Sequence, residues 1–273
     1  MFLPLALAAE TGAFVYSNIA VAFPRSPVHL AHTAWDLQPL SGVGPPGARH
    51  PGPGPHRARY GSTWSRPAAR MREWIGAIDP GPVAGGRPPI WMGALGPRMT
   101  ELALNEADGL LIHPFTSDRH AAEATFPRIE SGLADAGRDR ADITLVGQAI
   151  LSCGRDAKEQ EADDAGARWL VGFYGSTPAY EPVLATEGRA DLHPELRRLS
   201  REGRWDEMAA LVDDDLLDAV VVRGDPDQVA ARLHERVGGK VDRLAVYAPG
   251  GISDEALSAV VAGVRTRTEA ATV

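Results

Sequence analysis

The segment Pro88–Ala103 holds the residues best suited to chemistry. It reads Pro-Pro-Ile-Trp-Met-Gly-Ala-Leu-Gly-Pro-Arg-Met-Thr-Glu-Leu-Ala: a short apolar strand, a tight turn and a helix start. Gly93, Ala94 and Gly96 are small enough to let a ligand approach the backbone, and Pro97 sits where a first-turn proline is tolerated. The free N–H groups of such a helix start suit a phosphate; the plainer reading is an ordinary βα turn, and spacing leaves both open. The next apolar run, Ala107–Thr116, brings His113 and Thr116 to its carboxyl end. There His113 is either a general acid or base or a hydrogen-bonded wall residue.

Other motifs fall away on physical grounds. Gly42-Val43-Gly44-Pro45-Pro46-Gly47 matches GxGxxG literally, but a dinucleotide loop must open a helix whose N–H groups face the pyrophosphate. Pro45, Pro46, Pro51, Pro53 and Pro55 remove those donors. The eight histidines include no HExxH, and no GxSxG occurs. Cys153, the one cysteine, excludes a disulfide framework and a thiolate zinc site and reads as a buried structural thiol. Asp213-Asp214-Asp215 reads as a solvated helix face.

These residues need a scaffold, and hydropathy patterning supplies one. Strand-length apolar runs lie at Phe14–Phe23, Pro89–Leu95, Gly109–His113, Thr144–Cys153 and Arg243–Ala248. Amphipathic helical patterns cover 27–40, 66–78, 97–107, 119–136, 157–170, 205–217, 226–237 and 254–266. Apolar strands alternating with helices indicate parallel β/α units, either a (β/α) barrel or a doubly wound sheet. The 273 residues carry a net charge of −8 with no basic cluster, which argues against nucleic acid as partner. No apolar stretch is long enough for a bilayer, and the N-terminal apolar run lacks the basic start of a signal peptide. A cytoplasmic location is expected.

The segments Ile19–Pro27, Met92–Leu102, Ala107–Thr116, Trp205–Leu211 and Gly224–Leu233 together resemble the luciferase-like monooxygenase superfamily, most closely its coenzyme F420-dependent oxidoreductases. The resemblance runs from Phe2 to about Gly250 and implies a single (β/α)8 TIM-barrel domain over residues 1–273. It implies hydride transfer between deazaflavin coenzyme F420 and a small-molecule substrate. An FMN-dependent monooxygenase on the same barrel, or a non-catalytic remnant serving as an interaction protein, are the alternatives. By position, Asn18 and Ile19 match a non-proline cis peptide that backs the cofactor ring. Ala94, Leu95, Gly96, Arg98 and Met99 match the turn that holds the cofactor phosphate, and His113 matches the strand end beside ring and substrate.

Three departures from the family pattern shape the expectations. The chain starts after the family's first strand, helix and second strand, and a connecting segment after Ile78 is missing. Between Gly42 and Pro55, five Gly and five Pro stand where the family has a buried strand. Read one nucleotide downstream, codons for Gly44–Ala58 can encode that strand, so a compensated frameshift is expected. Residues 42–60 are therefore expected to form an irregular loop in an incomplete barrel, whose open edges a homodimer could pair.

Overall fold

The computed structural model describes residues 15–21, 26–29, 43–49, 66–78 and 89–271. Seven parallel-pattern strands and intervening helices appear among them. They gather into two compact units, Met1–Leu111 with Ile129–Thr144, and Ile112–Arg128 with Leu145–Val273.

In the first unit, β1 (Val15–Val21), β2 (Val43–Arg49) and β3 (Trp91–Ala94) pair in parallel in that order. The strand β2 corrects the expectation of an irregular loop over 42–60; residues 50–60 lie outside the described residues. Its prolines are accommodated by position. The register pairs with β3 are Gly47 with Trp91 and Ala48 with Met92, so Pro45 and Pro46 precede that ladder. Pro45 falls where the register against β1 slips, between the pairs Val15–Val43 and Ser17–Pro46, and Pro46 is the residue at which the pairing resumes. Bulges and half-laddered positions are where a strand tolerates a missing N–H. Helix α1 (Pro67–Ile78) buries Met71, Trp74, Ile75 and Ile78, and α2 (Pro97–Glu106) buries Leu102, Ala103 and Leu104. Between α2 and β4 (Gly109–Ile112), Asp108 accepts the Ile90 amide at 2.6 Å through its carboxylate. Arg138 closes the end of α2 by donating to the carbonyls of Leu104 (2.7 Å) and Ala107 (2.9 Å).

In the second unit, β5 (Thr144–Ser152) pairs in parallel with β6 (Val221–Arg223) and β7 (Arg243–Tyr247). Alternation along β5 sends Ala149, Leu151 and Cys153 to one face. There they form a core with Val222, Val229, Leu233, Ala256 and Val260. Cys153 is buried as expected, and burial pushes its thiol pKa up. A helical run begins at Asp118–His120, passes a π-helical turn at Ala121–Thr125 and ends as Phe126–Ala136; we call it α3. The remaining helices are α4 (Ala157–Gly175), α5 (Glu181–Thr186), α6 (Leu192–Glu202), α7 (Trp205–Ala210), α8 (Asp214–Val220), α9 (Pro226–Val237) and α10 (Asp254–Ala270).

Side-chain caps explain several boundaries. The single helix expected over 205–217 is two, because Asp213 caps α8 by accepting the Leu216 amide at 2.9 Å. The aspartate run is solvated, as read, and also does this work. Asp225 and Gln228 form a reciprocal capping box at α9, with Pro226 in the first turn. Among the described residues, no helix is long and apolar enough to cross a membrane.

Candidate active site

The turn after β3 enters α2 through a glycine. Gly96 is the N-cap of α2, and it has no side chain to donate or accept there. By contrast α4, α8, α9 and α10 have their first amides engaged by Asp156, Asp213, Asp225 and Ser253. An uncapped first turn keeps N–H groups for a ligand and concentrates the positive end of the helix dipole. A Cβ built on Gly96 would meet nothing within 4 Å, so the space above the turn is open. Arg98 is exposed in the first turn and adds a cation; Ala94, Leu95 and Met99 are half-buried around it. Thr100 fixes the turn from below, its amide (3.0 Å) and hydroxyl (3.1 Å) both donating to the Gly96 carbonyl. The donor set fits a phosphate-bearing cofactor.

Asn18 and Ile19 lie inside β1, which continues to Val21. Ser17 pairs with Pro46 and Ala20 with Ala48, so Asn18 and Ile19 together oppose one residue, Gly47. That is a bulge, a device that re-aims a strand and recurs beside functional sites.

In the second unit His113 follows β4 at its carboxyl end. Its Nδ1 accepts the Phe115 amide at 3.1 Å, so a neutral ring carries its hydrogen on Nε2. Two tyrosines box the imidazole. Tyr174 stands edge-on with ring centroids 4.8 Å apart, and Tyr180 lies tilted at 4.4 Å. Phe115, fully buried, underlies both at 5.9 and 6.1 Å. Thr116 Oγ1 and Gln148 Nε2 are buried polar atoms without hydrogen-bond partners among the described residues. Just beyond, Ser117 donates to Glu187 at 2.5 Å, and His120 Nδ1 meets Thr186 Oγ1 at 2.9 Å. Burial, helped by Arg128, pushes the His120 pKa below its ordinary 6.5.

The tyrosines were not anticipated from sequence. The helix was expected to stop at Leu170, whereas α4 runs on to Gly175 and Pro178–Tyr180 adds a further turn. The available signal was the absence of any proline before Pro178 and the apolar spacing Trp169, Phe173.

A groove of about 430 Å³ lies between Gly154–Ala157 and Arg223–Asp225. Its cations are already engaged. Arg155 pairs with Glu159 (2.7 Å) and Glu255 (2.9 Å), and Arg223 pairs with Asp164 and Asp218. With Asp156 and Asp225 filling both helix starts, it is a poor anion site beside the Gly96 turn.

Comparison with known proteins agrees with the architecture. A 5,10-methylenetetrahydromethanopterin reductase of Archaeoglobus fulgidus is 30% identical over 218 residues, 70% of this chain and 63% of that one. An uncharacterized protein of Mycobacterium tuberculosis is 37% identical over 280 residues, 89% of this chain and 81% of that one. The solved coenzyme F420 dependent tetrahydromethanopterin reductase from Methanopyrus kandleri superposes with a TM-score of 0.78 at 22% identity, covering 98% of this chain and 87% of that one. The parallel α/β fold is thus that of luciferase-like TIM-barrel structures. A family model described as luciferase-like monooxygenase matches residues 76–243, and the chain belongs to that family.

Proposed function

We propose that this oxidoreductase-family chain transfers a hydride between coenzyme F420 and a small organic substrate in the cytoplasm. The observation that carries the reading is the uncapped, open start of α2 at Gly96 with Arg98 beside it. When bound, F420 supplies the hydride donor or acceptor. The Leu95–Met99 backbone would hold its phosphate, with Arg98 neutralising charge, and Ala94 would leave room for backbone approach. The bulged Asn18-Ile19 segment would back the ring. His113, whose Nδ1 accepts the Phe115 amide, would serve as the acid or base beside the substrate. The names of two relatives support the reading, one reductase being described as coenzyme F420 dependent.

Titration with F420 followed by its fluorescence tests this, with FMN in parallel. Saturable F420 binding that weakens at least tenfold in Gly96→Val is expected. Because a Cβ at Gly96 meets nothing, the variant should keep the wild-type circular dichroism spectrum. Saturation by FMN and not F420 would replace the reading with a flavin monooxygenase. Binding of neither would leave the non-catalytic alternative.

A further inference from the structure

We propose that the groove between the loops after β5 and β6 binds a neutral polyhydroxylated ligand, a sugar or a sugar alcohol. The inference goes beyond the F420 reading and does not depend on it, since every residue it uses lies in the second unit. The groove's volume, about 430 Å³, falls within the range of roughly 300–1,000 Å³ that small-molecule sites occupy. Its lining is charged, and the charges balance: Arg155, Arg223 and Arg232 stand with Asp156, Asp218 and Asp225. An anion entering it meets the carboxylates and a cation meets the arginines, so either gives up hydration without a net attraction. A neutral ligand pays no such penalty.

The lining side chains are fixed by their own partners and still have capacity left. Arg223 is held between Asp164 and Asp218. Asp156 and Asp225 cap α4 and α9, and each uses its Oδ1 alone to do so. Asp218 likewise meets Arg223 through Oδ1. Gln228 accepts the Asp225 amide at 3.0 Å through Oε1, and its Nε2 makes no hydrogen bond among the described residues. Arg232, half-buried, engages only Nη2, which donates to the Asp218 carbonyl at 3.0 Å. Three carboxylate oxygens therefore remain as acceptors, and Gln228 Nε2 with Arg232 Nε and Nη1 remain as donors. A hydroxyl both donates and accepts, so neighbouring hydroxyls on one ligand can use both sets together. Side chains already held in place lose little freedom when such a ligand binds. Each new hydrogen bond replaces one to water, so the affinity belongs in the millimolar range.

The probes share one ring and differ in charge: methyl glucoside, the anionic methyl glucuronoside, and methyl glucosaminide at mildly acidic pH, where its amine is a cation. Each is titrated into the isotope-labelled full chain while the amide shifts of Gly154 and Gly224, which line the groove, are followed. We expect saturable shifts with methyl glucoside, and binding at least fivefold tighter than that of either charged probe. Removing one charge should tip the balance. Asp218→Asn, which keeps an acceptor oxygen, should narrow the gap for the glucuronoside. Arg232→Met, which keeps much of the stem, should weaken methyl glucoside and narrow the gap for the glucosaminide. A purely structural role for these residues would move the melting temperature and leave the ratios between probes unchanged, which overturns the proposal. In the wild-type chain, so does the absence of saturable shifts at Gly154 and Gly224, or a charged probe that binds as tightly as the neutral one. Neither wild-type outcome depends on the variants folding, and none of them depends on F420 binding.

Discussion

With Nδ1 of His113 accepting the Phe115 amide, the only hydrogen a neutral ring can offer is on Nε2. This yields a directional expectation. On the proposed reading, His113→Gln, which keeps an amide N–H, should retain part of kcat, whereas His113→Ala should lose about 10²-fold, the scale of a positioned acid or base. Steady-state kinetics on F420 reduction would measure both. His120 is a histidine of another kind. It is buried against Thr186, and its folded pKa lies below 6.5 because burial disfavours the cation; Arg128 adds to this, and Glu187 and Glu123 oppose it. The unfolded chain therefore binds the extra proton first, so stability is whole above about pH 6.5 and is lost as pH falls below it toward the folded value. Urea midpoints should drop between pH 7 and pH 5 in the wild type. In His120→Asn, which has nothing to protonate, they should fall less.

At the scale of elements, helix α4 is set by close backbone approach. A Cβ on Gly250 would stand 2.3 Å from Asp163 Cα, and one on Gly166 would stand 2.5 Å from the Gly250 nitrogen. The loop after β7 and the middle of α4 thus touch main chain to main chain. Gly250→Ala should cost about 1–3 kcal/mol in urea unfolding, the usual range for overpacking. This contact is invisible in sequence, where Pro249-Gly250-Gly251 reads only as a turn. What was legible followed from local rules. The capping of α9 by Gly224-Asp225-Pro226 and of α10 by Ser253 needed no tertiary information, and the Gly96 turn announced itself by small residues and Pro97. What was not legible depended on partners. The three-residue strand β6 is a strand because Ile150, Leu151 and Ser152 lie beside Val221, Val222 and Arg223. Likewise β2 carries two prolines through a sheet only because its neighbours' register leaves them outside the ladder with β3. Tyr174 and Tyr180 meet His113 across more than sixty residues of chain, and no spacing rule reaches that far.

For the whole molecule, the five strands read from sequence become seven among the described residues, and the proposed cofactor should act on the stability of that fold. A ligand that binds the folded chain alone stabilises it by RT ln(1 + [L]/Kd), about 2.7 kcal/mol at one hundred times Kd. For a chain of this length each kcal/mol moves the melting temperature by about 2–4 °C. F420 at that excess should therefore raise the melting temperature by about 5–10 °C, and FMN at the same concentration should raise it less. Gly96→Val should melt near the wild-type temperature without ligand, since a Cβ there meets nothing within 4 Å, and on the proposed reading it should show little of the F420 shift. Repeating the scan over a hundredfold range of protein concentration adds the oligomer to the same experiment. A homodimer makes the melting temperature climb with concentration, and a monomer holds it fixed. We expect the climb. Among the described residues β1 has β2 as its one strand neighbour, and a second copy pairing along its other side would produce that climb.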